Sequence, residues 1–384
     1  MRVKGIKWVA GGAGVLIAVA LAIWWWPRGT RPGGAIVVSS NAPARPIASE
    51  AVTHGVGAEA AGDLDAKLRE AAADLANASD AAKQKEALAL LRQTLASSPT
   101  NQASVAIRRF LDSKMDAPTR QSFKIGGKGF LNEAPTLRTF LLDYLGQVDP
   151  AAAAAYARVI LSQMGSPDEW ALALRNLALG DTSAEARAVL EQKTGELLRR
   201  EAWQPEPSVG YLEAFDAAVY LGGTNLAPSL AELVRRQDNP AVAHAAYLAL
   251  DRLVIKDTSL LLTALEAAPE LMQGREATRA DYFARADVRD VPQRQVLERY
   301  LLDPQRSGAE LAQFAGLFPN ANYMISPNLL TPTPTPDHTA LTSRDAASLQ
   351  TVQDWLVDPR FANLQRSLQK VKQRLEDFAR QAGR

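Results

Sequence analysis

The stretch Asn239-Pro240-Ala241-Val242-Ala243-His244-Ala245-Ala246-Tyr247-Leu248-Ala249-Leu250-Asp251-Arg252-Leu253 decides how the rest of the chain is read. Asn239 offers a side-chain acceptor to the free amides of a helix start, and proline at the next position wastes no donor there. Behind them Leu and Ala recur at three- and four-residue spacing, the period of an amphipathic helix, so a helix is predicted from about 239 to 254. The same signature stands at Asp149-Pro150 and Ser166-Pro167, with further polar starts at Thr182-Ser183 and Thr224-Asn225. Gly146, Gly180 and the pair Gly222-Gly223 sit where helices should end. Outward from this segment, helices are predicted near 63 to 77, 79 to 97, 101 to 112, 134 to 146, 149 to 164, 167 to 179, 182 to 200, 208 to 222, 224 to 237 and 257 to 268. Alternating strands bounded by Asn-Gly or Asp-Gly turns are missing from the pattern. The expected class is all-α.

Connections of two to four residues force successive helices antiparallel, and helices that are apolar on one face must stack to bury it. The starts that open successive pairs fall near 134, 167, 208 and 239, within the range of paired-helix repeats but without a constant period. The segment 239 to 253, with its polar cap, Pro, Val two residues later, Ala-Ala pair and Leu-rich finish, resembles the second-helix consensus of HEAT and HEAT-like repeats. Ser208-Val209 through Ala217-Ala218 and Leu221 repeats that outline loosely, and the resemblance covers about 134 to 268. It departs from the family at Ala243, where an Arg is frequent after the Val. The Trp, Leu-Gly and Tyr landmarks of a tetratricopeptide do not recur. The resemblance implies an irregular α-solenoid, expected here over 63 to 317, of the kind whose long faces bind proteins.

Two segments interrupt the helices. Ser113 to Glu133 contains Lys124-Ile125-Gly126-Gly127-Lys128-Gly129, which lacks the G-x-x-x-x-G-K-[ST] pattern and a preceding strand, so it reads as a flexible inter-repeat loop rather than a phosphate cradle. Phe318 to Ser343 holds Thr331-Pro332-Thr333-Pro334-Thr335-Pro336, whose alternating prolines deny helix and favour polyproline II. The segment 344 to 384 beyond it reads as an amphipathic basic helix. Phe361, Leu364, Leu368, Val371, Leu375 and Phe378 are spaced as one a/d seam. Residues 360 to 384 carry seven basic and two acidic side chains, a net +5 that leaves −4 for the remainder. Such a helix either caps the solenoid with its seam or docks on a partner groove or anionic lipid through Lys370, Lys372 and Arg374.

At the other end, residues 1 to 7 form a short basic tail, and Trp8 to Trp26 run for 19 residues without a charge. At about 1.5 Å per residue that is roughly 28 Å, close to the hydrocarbon thickness of a bilayer. Tryptophans at both ends suit the headgroup boundary. The run is longer than a signal-peptide core and ends in three Trp and a Pro, so an uncleaved signal-anchor is predicted, and the lack of Cys excludes a lipoprotein anchor. Residues 27 to 62, rich in Gly, Pro, Ser and Ala, read as a tether. Ala10, Gly14, Ala18 and Ala22 make a small-residue stripe that offers a route to homo-oligomers. The expected address is an inner or plasma membrane, with the N-terminus cytoplasmic and the helical body periplasmic or extracytoplasmic.

Composition narrows the function. Lys+Arg at 43 against Asp+Glu at 42 gives no reason to expect nucleic acid over the whole molecule. Zero Cys removes thiol nucleophiles and Cys-ligated metals, and His54, His244 and His338 leave little for a metal site. No local catalytic motif is present. His244 reads as a structural or surface histidine, His54 and His338 fall in expected linkers, and Asp168-Glu169 reads as charge complementing a helix N-terminus. No catalytic, cofactor-binding or metal-ligating residue is therefore assigned. The leading expectation is a single-pass, bacterial-type envelope protein whose solenoid serves as a scaffold or adaptor for protein partners. The alternatives are an envelope enzyme with a site of dispersed carboxylates and an oligomeric structural protein. The anchor is tested by alkaline carbonate washing. Full-length protein is expected to stay in the membrane fraction and a chain lacking residues 1 to 31 to become soluble and helical; full-length protein in the wash supernatant would refute the span.

Overall fold

The computed structural model describes residues 56–332 and 337–382. The predicted span 8 to 26, with Ala10, Gly14, Ala18 and Ala22, lies outside them, as does His54; among the described residues no helix is long and apolar enough to cross a membrane. The described chain is all-α apart from one small hairpin.

Capping chemistry sets the helix starts. Asp149, Ser166 and Asn239 each accept a backbone amide, from Ala152, Asp168 and Val242, and each is followed by proline in the first turn of α5 (Pro150–Leu161), α6 (Pro167–Gly180) and α11 (Pro240–Lys256). Ser183 caps α7 (Ala184–Leu198) in the same way. The first three helices are α1 (Val56–Asn77), α2 (Ala81–Ser97) and α3 (Thr100–Asp112). The first of these begins inside the stretch read as a tether. A helix expected over 208 to 222 is instead two short ones, α8 (Val209–Glu213) and α9 (Asp216–Leu221). Phe215, buried in the aromatic core against Tyr211, stands at the break between them. Then follow α10 (Ala227–Val234), α12 (Thr258–Ala267), α13 (Glu276–Phe283), α14 (Val291–Leu302) and α15 (Gly308–Leu317), the last three in a region for which no helix bounds are predicted.

Packing is predominantly local in sequence. Some consecutive helices pack together, such as α1 with α2, α5 with α6 and α10 with α11, and so do next-but-one neighbours: α1 with α3, α6 with α8, α9 with α11, α12 with α14, and α13 with α15. Two further helices close the chain, α16 (His338–Val357) and α17 (Gln365–Ala382), with a 3-10 turn at Pro359–Leu364 between them. The first starts at His338, so the helical C-terminal segment opens earlier than its expected 344; Asp337 caps it by accepting the amides of Thr339 and Ala340.

The stretch 113 to 133 is not a flexible loop. Strands β1 (Lys124–Ile125) and β2 (Leu131–Glu133) pair antiparallel across a turn in which Lys128 and Gly129 hold positive φ, at 59° and 77°. Phe123, Ile125 and Leu131 are buried, and the Leu131 amide donates to Asp143 of α4 (Leu137–Val148) at 2.9 Å. The turn's Gly129 carbonyl accepts from Arg175 of α6 at 2.9 Å. Tertiary partners that local sequence does not reveal thus order the segment.

At the C-terminal end, Phe361, Leu364, Leu368, Val371 and Leu375 turn inward and are buried, while Phe378 at the end of the seam remains 42 % exposed. A run of stacked or tilted rings, Phe283, Tyr300, Phe314, Phe318, Trp355 and Phe361, joins α13, α14 and α15 to α16 and the 3-10 turn that follows it. Leu368→Ala and Leu375→Ala are each expected to destabilise the full-length protein by roughly 2–5 kcal/mol, the cost of emptying a buried leucine site. Thermal melts check this, and unchanged midpoints for both would refute a capping role for the seam.

Candidate functional site

Residues 318 to 332 form an extended strap that runs back over helices formed much earlier in the chain. It leaves α15 at Phe318, which is buried, and its Asn320 amide donates to the Ala284 carbonyl at the end of α13 at 2.7 Å. Arg344 of α16 donates to the Asn320 carbonyl at 3.3 Å and to the Arg285 carbonyl at 2.8 Å, pinning strap and helix end together. Farther along, Arg252 of α11 donates to the Asn328 side-chain oxygen and lies 3.2 Å from Asp216. Asp216, fully buried at the start of α9, accepts the Leu330 amide at 2.7 Å, the Thr331 amide at 2.8 Å and the Thr331 hydroxyl at 2.5 Å. This one carboxylate therefore holds two main-chain donors of the extended segment, an arrangement that satisfies buried amides without a strand partner.

Leu329 is buried between these ties, and its carbonyl faces Gly129 of the hairpin turn. A Cβ on Gly129 would lie 2.1 Å from that oxygen, so glycine is required both by its φ and by the close approach. Burial pushes the Glu213 carboxyl above its ordinary range, Arg252 opposing the shift and Asp216 adding to it. Between the anchors the strap exposes two large apolar side chains, Met324 at 51 % and Ile325 at 73 %. Beside the second anchor is an apolar cavity of about 430 Å³ lined by Val219, Tyr220, Ile255 and Leu330, among others.

The residues singled out by sequence fall elsewhere. Arg374 donates to the carbonyls of Ala315 at 2.6 Å and Gly316 at 2.8 Å and to that of Phe318, closing the C-terminal end of α15; burial lowers its pKa, with Asp345 opposing. Lys372 is half-buried with its ammonium 3.5 Å from Glu376, and Lys370 is exposed. The three basic residues therefore do not act as one set: one is tied into the fold. His244 is exposed and stacks on Tyr247 with ring centroids 6.3 Å apart.

Asp168 and Glu169 do more than complement a helix N-terminus. Asp168 accepts the Ser208 hydroxyl at 2.6 Å and the Gly210 amide at 3.0 Å, and burial raises its pKa against those bonds. Glu169 is a buried, bidentate partner of Arg138, at 2.7 and 3.0 Å. Sequence reading missed Asp216 and Arg252 altogether. The only local signal was a carboxylate and an arginine each at a position that helical periodicity places among Leu, Val and Ala.

Compared with known proteins, the chain matches no family model, no curated protein and no solved structure, so the site is read from its own chemistry. Asp216→Ala removes three acceptor contacts at once and is expected to free the strap, raising its rate of cleavage by a nonspecific protease about tenfold or more between residues 321 and 332. Mass spectrometry of the first cuts checks the position; an unchanged rate there would mean that the carboxylate does not hold the strap.

Proposed function

We propose that this protein is a membrane-anchored, helical-repeat scaffold of the cell envelope, whose body is an irregular HEAT-like α-solenoid that binds a protein partner. The repeat reading is supported by side-chain links that recur between next-but-one helices at similar sequence offsets. Arg138 with Glu169, Arg175 with Asp143, Arg285 with Asp251 and Arg279 with Glu310 are 31, 32, 34 and 31 residues apart. A stack of this kind gains its function from extended surface rather than from an enclosed pocket.

The observation that carries the binding reading is the strap. Its anchored ends are held through main-chain groups by Asp216 and Arg344, and its middle presents Met324 and Ile325 to solvent. Exposed apolar side chains on a segment fixed at both ends are preorganised, so ordering them against a partner costs less entropy than ordering a free loop. The anchor, the tether and the body form one reading in which the membrane fixes where the scaffold works and the strap supplies a contact.

Photocrosslinking in native membranes tests it, with the reactive group placed at Ile325 and, for comparison, at Val357, another exposed β-branched position. A discrete adduct of constant mass is expected at Ile325 and not at Val357. Met324→Asp is expected to weaken that adduct at least severalfold while leaving the melting midpoint within a degree or two, since the side chain is largely exposed. Equal labelling at the two positions, or an adduct indifferent to Met324→Asp, would overturn the strap as a partner surface.

A further inference from the structure

A second cleft lies far along the chain from the strap's exposed tip. It has a volume of about 630 Å³, formed where α2 faces the hairpin and α4. Its floor and walls include Leu88, Ala89, Leu131 and Phe140, and four cations line it: Lys85, Arg92, Arg120 and Lys124.

The carboxylates in the lining are already engaged. Asp143 is buried and bonded to Arg175, to the Leu131 amide and to Gln147 at 2.7 Å. Glu133 accepts the Ser122 hydroxyl at 3.1 Å and lies 3.5 Å from the Lys124 ammonium, and these two contacts lower its pKa. Arg120 donates one N–H to the Ser79 carbonyl at 3.1 Å. Among the described residues, Lys85 and Arg92 have no carboxylate within ion-pair distance. The cleft therefore concentrates positive charge in a chain that is nearly neutral overall.

Arg92 is the best-placed of the four. It is half-buried, and its guanidinium carbon sits 4.9 Å from the centre of the Phe140 ring. An arginine held against an aromatic face loses rotamer freedom before any ligand arrives. Its N–H groups still offer the planar fork that matches a carboxylate in two parallel bonds. A bare surface charge would not be so fixed.

We infer that this cleft binds a carboxylate-rich peptide segment of a partner protein, with Arg92 taking one carboxylate and an apolar side chain of the same segment filling the floor between Leu88, Leu131 and Phe140. The apolar floor separates this ligand from a phosphate polymer, which would use the cations but leave the floor bare, and which asks for a longer basic track than four side chains around one cleft. The inference rests on the protein-binding reading above and gives that partner a chemistry.

Fluorescence anisotropy of the full-length protein in detergent tests it, using a labelled short glutamate peptide with one central phenylalanine. A lysine peptide of the same design and inorganic tripolyphosphate are the comparisons. The acidic peptide is expected to bind, to weaken as salt is raised, and to lose about tenfold in affinity with Arg92→Gln or Lys85→Gln. Lys370→Gln, on the exposed side of α17, is expected to leave it unchanged. Arg92→Lys is expected to fall between wild type and Arg92→Gln, because the charge remains and the fork does not. Replacing the phenylalanine of the peptide by glutamate is expected to weaken binding severalfold, because the floor between Leu88, Leu131 and Phe140 loses its apolar occupant, and undiminished affinity would refute that use of the floor. Full affinity in Arg92→Gln with unchanged melting, equal binding of the lysine peptide, or tighter binding of tripolyphosphate that displaces the peptide would each overturn the proposal. If the peptide fails to bind while the Ile325 adduct persists, the cleft inference falls and the scaffold reading stands.

Discussion

Buried arginine–carboxylate bridges between next-but-one helices are the constraint on which the rest of this structure depends. Arg175 and Asp143 are almost wholly removed from water, and around them converge α4, α6 and the hairpin turn, since Asp143 also accepts the Leu131 amide and Arg175 also donates to the Gly129 carbonyl. Arg138 with Glu169 joins the same two helices a second time in the opposite sense. Arg285 with Asp251 and Arg279 with Glu310 repeat the device across α11, α13 and α15, the last pair reinforced by the Tyr300 hydroxyl at 2.9 Å. Such pairs contribute little net stability compared with apolar packing, because desolvating two ions offsets most of their attraction. Leaving one of them buried without its partner, however, costs about 3–5 kcal/mol. Ala- and Leu-rich helices could slide past one another at little cost in apolar contact; a slide that separates these charges is heavily penalised. The bridges therefore fix which helix lies against which, and in what register.

The strap and the hairpin inherit that register. Leu329 can approach Gly129 only because Arg175 holds the turn in place, and Asp216 can hold Leu330 and Thr331 only because α9 sits where the stack puts it. The strap in turn begins beside α16, whose Arg344 closes the first anchor, and Arg374 of α17 seals the end of α15 from which the strap departs. Exposed apolar side chains at 324 and 325 and a basic cleft between α2 and the hairpin thus lie on one continuous chain of supports. Both are surfaces of modest size on a rigid base.

Much of the helical layout was legible in sequence because helix starts are decided locally. An acceptor side chain and a proline act on amides within one turn of themselves, so Asp149, Ser166 and Asn239 could be assigned before any tertiary contact was known. Part of the seam was legible for a related reason: from Leu368 to Leu375 the spacing follows from the helical period, whereas Phe361 and Leu364, expected on the same helix, are buried from a 3-10 turn that precedes it. Thr224-Asn225 shows where the rule fails, for α10 starts later, at Ala227, without a side-chain cap.

The partners of charged residues were not legible, because pairing is a property of position in space. Asp168 and Glu169 sit in the first turn of α6, where negative charge suits the helix end in any fold. Only the stack brings Ser208 and Gly210 to one and Arg138 to the other. Lys370, Lys372 and Arg374 look alike on a helical wheel, yet only Arg374 meets the open carbonyls of α15. By itself the sequence determined the all-α class, most helix starts and the apolar faces, since these depend on interactions within a few residues. Tertiary structure alone decided the ordering of the 113 to 133 hairpin, the path of the strap and the meeting of Arg252 with Asp216, because each joins residues tens of positions apart whose contact free energy exists only once the helices between them have packed.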